Sequence, residues 1–307
     1  MGRQFLFVLV VFLAPILAFS ATIHVPVDQP TIQAGINAAV NGDTVLVSPG
    51  TYLEHINFVG KSIILKSTKG PDSTIIGKLA DGIALVTISS GEGQSTILDG
   101  FTISGSVDVP GIICSGGASP IIQNNHICNV RTSGRNGGVT CLSPGVKIIS
   151  NEFYDIHSND KGGAIFVGSP KVQILENVFH NCSSGDGGGA ISATDWGDSI
   201  YICNNLIYNN SNTDDWGGIL YFQSGTNALI FNNTIVNSTT TSLKGGGVLF
   251  IWVTGAQITN NIICNSSLGH GIYAYQSYDI ISTYNNIIGN SGGDYYGLIP
   301  GVGSISL

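Results

Sequence analysis

Charge is scarce in this chain of 307 residues: Asp, Glu, Lys and Arg together make up 10% of it. There is one Met and three Trp, and no arginine follows Arg135. Each shortage excludes something. So few and scattered bases form no electrostatic footprint for nucleic acid. After residue 20 no run is long and apolar enough to span a bilayer. No Cys-x-x-Cys or Cys/His cluster has the spacing of a zinc site. No glycine-rich segment joins a strand to a helix as a phosphate loop would, and the serines lack a nucleophile elbow or a partnered His/Asp arrangement. Disorder is excluded too, because it needs low hydrophobicity with high charge, whereas mean hydropathy here is +0.28.

What is abundant is glycine, 42 residues, together with asparagine and short apolar runs, a composition suited to many short strands joined by tight turns. Residues 1–20 read separately. A short basic start at Arg3 precedes an uncharged apolar run from Phe5 to Phe19, and Ala18-Phe19-Ser20 fits a small-x-small cleavage site. The expectation is a secretory signal and a secreted or cell-surface protein, periplasmic if the envelope is Gram-negative. Without the signal the chain carries 10 bases against 19 acids. Six cysteines in an exported chain invite disulfides. Cys114 and Cys141 follow matching triplets, however, and read better as buried thiols stacked on neighbouring repeats.

The main signal is a repeat. Asn125, Asn151, Asn177, Asn205, Asn233, Asn261 and Asn286 are each followed two residues on by Ile or Phe and four residues on by Asn or Asp, at spacings of 26, 26, 28, 28, 28 and 25. Ile122, Ile148, Ile174, Ile202, Ile230 and Ile258 precede six of them by three residues, with Thr283 breaking the series. Such a period marks a solenoid, in which one unit cannot bury its apolar face without the next. Apolar alternation gives about three short strands per unit, and neither leucine-rich spacing nor helical pairs are present. The fold class expected is all-β, a right-handed parallel β-helix over 44–307. A cap over 21–43 should hold a helix from Pro30 to Val40, with Ile32, Ile36 and Val40 on one face.

The segments Val25-Pro26, Gln29-Pro30-Thr31-Ile32-Gln33, Gly42-Asp43-Thr44-Val45 and Pro49-Gly50-Thr51-Tyr52, with the Asn-Asn-x-Ile and Gly-Gly-x-Ile repeats, resemble the secreted right-handed β-helix proteins of the pectin-lyase-like superfamily. The resemblance covers nearly all of the mature chain and implies a fold more than an activity, since lyases, hydrolases, epimerases and adhesins share it. Members resembling this chain often continue past a segment like Gly303 to Ser306, so a C-terminal cap or further domain is expected beyond Leu307 or from a partner.

Aligning the glycine pairs 137/138, 162/163, 188/189, 217/218 and 246/247 places Arg135, Asp160, Asp186, Asp215 and Lys244 in one column two residues earlier. Stacked in register, Asp160, Asp186 and Asp215 would repel unless they shared a cation, which is the logic of a Ca²⁺ site. A lyase acting on a uronate needs such a metal and a base, here Lys244 or Arg135. The plainer reading is a solvated loop in which Asp favours turns before glycine. Tyr154, His180 and Tyr208 form another column, and with Trp216 beside Asp215 they offer carbohydrate-stacking rings or cross-coil packing. Asn212-Thr213-Asp214-Asp215 and Gly269-His270-Gly271 resemble pieces of a polygalacturonase signature, but the expected Asp pair and Arg-x-Lys turn are missing. The Asn-x-Ser/Thr sequences at Asn181, Asn209, Asn232, Asn237 and Asn265 are expected by chance in such a repeat. The leading reading is an exported protein presenting a long face to extracellular polysaccharide, as a calcium-assisted lyase or as a non-catalytic adhesive or structural rod.

Overall fold

A computed structural model describes residues 20–77, 82–213, 217–241 and 247–306. Asp215, Trp216 and Lys244, and the expected export signal apart from Ser20, lie outside the described residues. The chain winds as a parallel β-solenoid. Its described strands form sheets of 19, 11 and 5 strands, and every pairing between them is parallel. A representative coil runs from Val139–Cys141 and Lys147–Ile149 in the long sheet, through Glu152–Tyr154 in the second, to His157–Ser158 in the third. A loop then returns to Ile165–Val167, one rung further along.

Two inward columns build the core. Ile122, Ile148, Ile174, Ile202, Ile230 and Ile258 follow one another in register and are buried. Ile127, Phe153, Phe179, Ile207, Ile235 and Ile263 do the same on the second sheet. Because strand side chains alternate faces, one fixed position per coil suffices to line the interior.

The sharp corner between these columns explains the asparagines. Two residues separate the flanking strands, and the first takes positive φ at Asn124, Ser150, Glu176, Asn204, Asn232, Asn260 and Tyr284. The second is a buried Asn. From Asn151 onward its Oδ1 accepts from the backbone N–H and the side-chain Nδ2 of the preceding coil's Asn, and its own Nδ2 donates to an Ile carbonyl one coil back; Asn125 begins the series by accepting from Phe101 N and donating to the Leu98 carbonyl. The ladder runs Asn125, Asn151, Asn177, Asn205, Asn233, Asn261 and Asn285. Each side chain thereby pairs polar groups that the bend would leave orphaned in the core. The last rung corrects the sequence register by one residue. Asn285, not Asn286, continues the ladder; Ile287 faces inward, and Ser282 takes the place of the missing Ile.

At the start of the solenoid a helix spans Ile32–Ala38, with Thr31 Oγ1 accepting from Ala34 N and the Glu54 carboxylate accepting from Ile32 N and Gln33 N. Ile32 and Ile36 are buried with Val25 and Val45. Val40 departs from the expected face and is 64% exposed. The helix has already ended, and the Asp43 carboxylate accepts from Val40 N, which turns the chain outward. All six cysteines are free, and Cys114 and Cys141 are register partners in the core. Burial raises the Cys114 thiol well above its usual range and pushes Cys141 and Cys182 up to about 12.

Candidate functional site

The outward positions of the long sheet carry an aromatic file. Tyr221, Phe250, Tyr273 and Tyr296 are successive register partners, with ring centroids 4.9, 5.6 and 4.4 Å apart and nearly parallel planes. Two residues along, Gln223 pairs with Trp252, whose ring meets Tyr275 edge to face at 5.5 Å. Trp252 and Tyr275 are both partly exposed beside the buried Phe250 and Tyr273 of the file.

This aromatic floor is walled on one side by the loop before Ile165. Lys161 is nine-tenths buried there; its Nζ donates to Gln223 Oε1 at 3.1 Å, lies 3.5 Å from Asp186 Oδ2 and sits 4.7 Å over the Tyr221 ring. Tyr221 Oη donates to the same Gln223 oxygen. Buried cations need this degree of partnering, and the four side chains hold one another in place. Together Lys161, Asp186, Tyr221, Gln223, Phe250, Trp252 and Tyr275 enclose a trough of about 450 Å³. Aromatic walls with a few convergent polar groups are the usual make-up of a small-ligand site.

The acidic column is reproduced in part. Asp186 N donates to Asp160 O, so these two residues are level on neighbouring coils. Asp215 lies outside the described residues, as does Lys244. Arg135 is out of the column by one. Thr132 pairs with Ser158 and Val139 with Ile165, both 26 residues apart, which brings Arg135 level with Lys161 rather than Asp160. A row of bases thus runs beside the row of acids. Asp160 faces Arg135 at 4.0 Å in an exposed pair and Asp186 faces Lys161, so each carboxylate has a cation from the chain itself. Among the described residues no group of three His, Cys, Asp or Glu is placed to hold a metal.

Tyr154, His180 and Tyr208 do stack, at 5.4 and 5.0 Å with planes within 13° of parallel. His180 therefore has a neighbour on each ring face and offers solvent only its edge. Glu152 lies between His126 and His180, with oxygens 3.3 and 3.2 Å from their Nε2 atoms. Trp216 lies outside the described residues. His270 packs at a tilt against the stacked Tyr273 and Tyr296 rings, and burial lowers its pKa, which suits a packed ring better than a polygalacturonase-like role.

Sequence reasoning missed Lys161, Gln223, Trp252 and Tyr275. Lys161 stands directly before the glycine pair used for alignment and was passed over by one position. Trp252 and Tyr275 each fall two residues beyond an aromatic of the file, which is the outward period of a strand.

A solenoid of parallel coils, with an aromatic trough on its outer face, defines a parallel β-helix protein. The model of the right-handed β-helix region matches residues 138–298, more than half of the chain, and the protein belongs to that family. Among curated proteins none matches it. Among solved structures it is similar to a mannuronic acid-specific polysaccharide family 6 lyase from human gut microbiota, at 14% identity over 94% of this chain and 83% of that one, with a TM-score of 0.42. It is also similar to a PL6 family polysaccharide lyase from Pseudopedobacter saltans, at 11% identity over 94% and 93% of the two chains, with a TM-score of 0.29. At these values the likeness says nothing of activity.

Proposed function

We propose that this is an exported β-helix protein that binds an extracellular polysaccharide along its long sheet, with the trough at Trp252 and Tyr275 as its central subsite. The observation that carries the reading is the combination in one trough of the partly exposed rings of Trp252 and Tyr275 with Lys161, Asp186 and Gln223, since sugars are recognised by aromatic contact plus hydrogen bonds to hydroxyls. The Lys161–Asp186 pair is locally neutral, which favours a sugar hydroxyl over a bare uronate carboxylate. Titration of the folded chain against neutral and acidic polysaccharides tests this. Trp252→Ala should weaken binding about ten-fold, and equal affinity in parent and variant would refute the trough as the subsite.

A catalytic version, the calcium-assisted lyase, rests on Asp160 and Asp186 being level, with Asp215 as third ligand and Lys244 or Arg135 as base. It requires Ca²⁺ to raise the melting temperature in a concentration-dependent way and unsaturated products to accumulate. The cations already facing Asp160 and Asp186 favour the non-catalytic version, in which neither is seen.

A further inference from the structure

On the third sheet a second cleft, of about 420 Å³, is lined by Asn129, Arg131, Asp155, His157, Asn181 and Ser183 among others. Arg131, His157 and Ser183 are successive register partners. His157 Nδ1 is 2.8 Å from Ser183 Oγ, and His157 Nε2 is 3.0 Å from Asn159 Oδ1. An amide oxygen only accepts, so Nε2 carries the ring proton and Nδ1 turns its lone pair to the serine hydroxyl. The imidazole is thus set as a base toward Ser183 by Asn159. Asn159 itself is held, because its N donates to Thr132 O and its backbone carbonyl lies so close to Gly185 that no Cβ could be placed there.

We propose that Ser183 and His157 are the catalytic residues, and Asn159 the positioning residue, of a hydrolytic centre for carboxylic esters. The nucleophile–base–orienter order is the one that activates a hydroxyl in acyl transfer. In the first step Ser183 Oγ bonds to the ester carbonyl carbon while its proton passes to Nδ1. The carbon–oxygen bond to the alcohol then breaks, and the departing oxygen takes that proton. Water next gives a proton to Nδ1 and attacks the acyl-serine, releasing the carboxylic acid and returning the proton to Oγ. Arg131, two rungs or roughly 10 Å from Ser183 along the sheet, brings a guanidinium to the same cleft for the oxyanion. The polar lining of Asn129, Asp155 and Asn181 suits a small acyl group on a hydroxyl-rich alcohol, such as an acetylated sugar.

The test uses the folded chain with p-nitrophenyl acetate and, separately, a fluorophosphonate probe whose attachment is mapped by mass spectrometry. The probe is expected on Ser183. Ser183→Ala and His157→Gln should each lower kcat/KM by on the order of 100-fold or more with unchanged circular dichroism. Ser211→Ala, at the next rung and without a paired imidazole, should keep the parent rate. Asn159→Asp keeps an acceptor and should keep the rate, whereas Asn159→Leu should not; equal rates in these two would remove Asn159 from its role. Hydrolysis that survives Ser183→Ala, no hydrolysis above buffer, or labelling elsewhere would overturn the proposal.

Discussion

Asn177→Ala is the sharpest probe of what holds the solenoid together. Asn177 Oδ1 accepts from Asn151 N at 2.9 Å and from Asn151 Nδ2 at 3.1 Å, while its own Nδ2 donates to Ile148 O at 2.9 Å and Asn205 Oδ1 at 3.1 Å. The substitution removes all four bonds at a fully enclosed site and orphans one backbone group, the Asn151 N–H, while the Ile148 carbonyl keeps its place in the parallel ladder with the next coil. The orphan costs about 1–3 kcal/mol and the lost bond to the Ile148 carbonyl about 0.5–1.5 kcal/mol, so the loss should be about 1.5–4.5 kcal/mol. Urea unfolding gives the magnitude, and native-state hydrogen exchange at the Asn151 amide gives the location, since the effect should concentrate on that rung. A change below about 1 kcal/mol with normal protection of Asn151 would refute the view that the ladder is energetically required.

Further expectations concern core, charge and thiols. Ile202→Asp places an unpaired charge in a column of isoleucines and should unfold the central coils; normal thermal stability would refute the inward register. Asp186→Asn strands the buried Lys161 ammonium and should lower the melting temperature, whereas Lys161→Met keeps the volume, removes the charge and should be neutral or stabilising. Parallel melts of the two variants decide this, and equal destabilisation would count against it. The Cys141 and Cys182 thiols titrate at about 12 in the fold against an ordinary 9.0, so the unfolded chain loses those protons first. Stability should therefore hold below pH 9 and fall between pH 9 and 12, by up to about 1.4 kcal/mol per pH unit for each thiol. Replacing both by Ala should reduce that slope, with Cys114 contributing what remains, and an unchanged slope would sink the assignment.

The fold was legible because a stacked coil repeats its inward residues at one period, and the ladder asparagines mark that period directly. The slip at Asn286 shows the limit: Ile287 and Ile288 are interchangeable in the pattern, and only the pairing of Ile263 with Ile287 fixes the phase. The trough was less legible because its parts come from different coils. Lys161 meets Gln223 across 62 residues, a contact set by side-chain reach over two rungs and not by any local motif. The pairing of His157 with Ser183 was absent from the sequence reading for a related reason. Neither residue has a motif around it, and they meet only because 26 residues is one full turn at that height.

The two-residue corner has a consequence for how such a molecule can grow. From Ser150-Asn151 to Tyr284-Asn285 its length never varies, while the connections elsewhere in the coil do: Val167 to Val172 spans fewer residues than its counterpart Ala193 to Ile200. Each coil is therefore an interchangeable cassette with a fixed joint and adjustable spans. Duplicating or deleting one whole coil restores the same donors and acceptors at the joint, so the backbone tolerates the change. The outer features do not move with it. Aromatic file, trough and serine cleft each draw on several successive coils, so a coil inserted within one of them would split it. One inserted between them would only set the sites further apart along the axis.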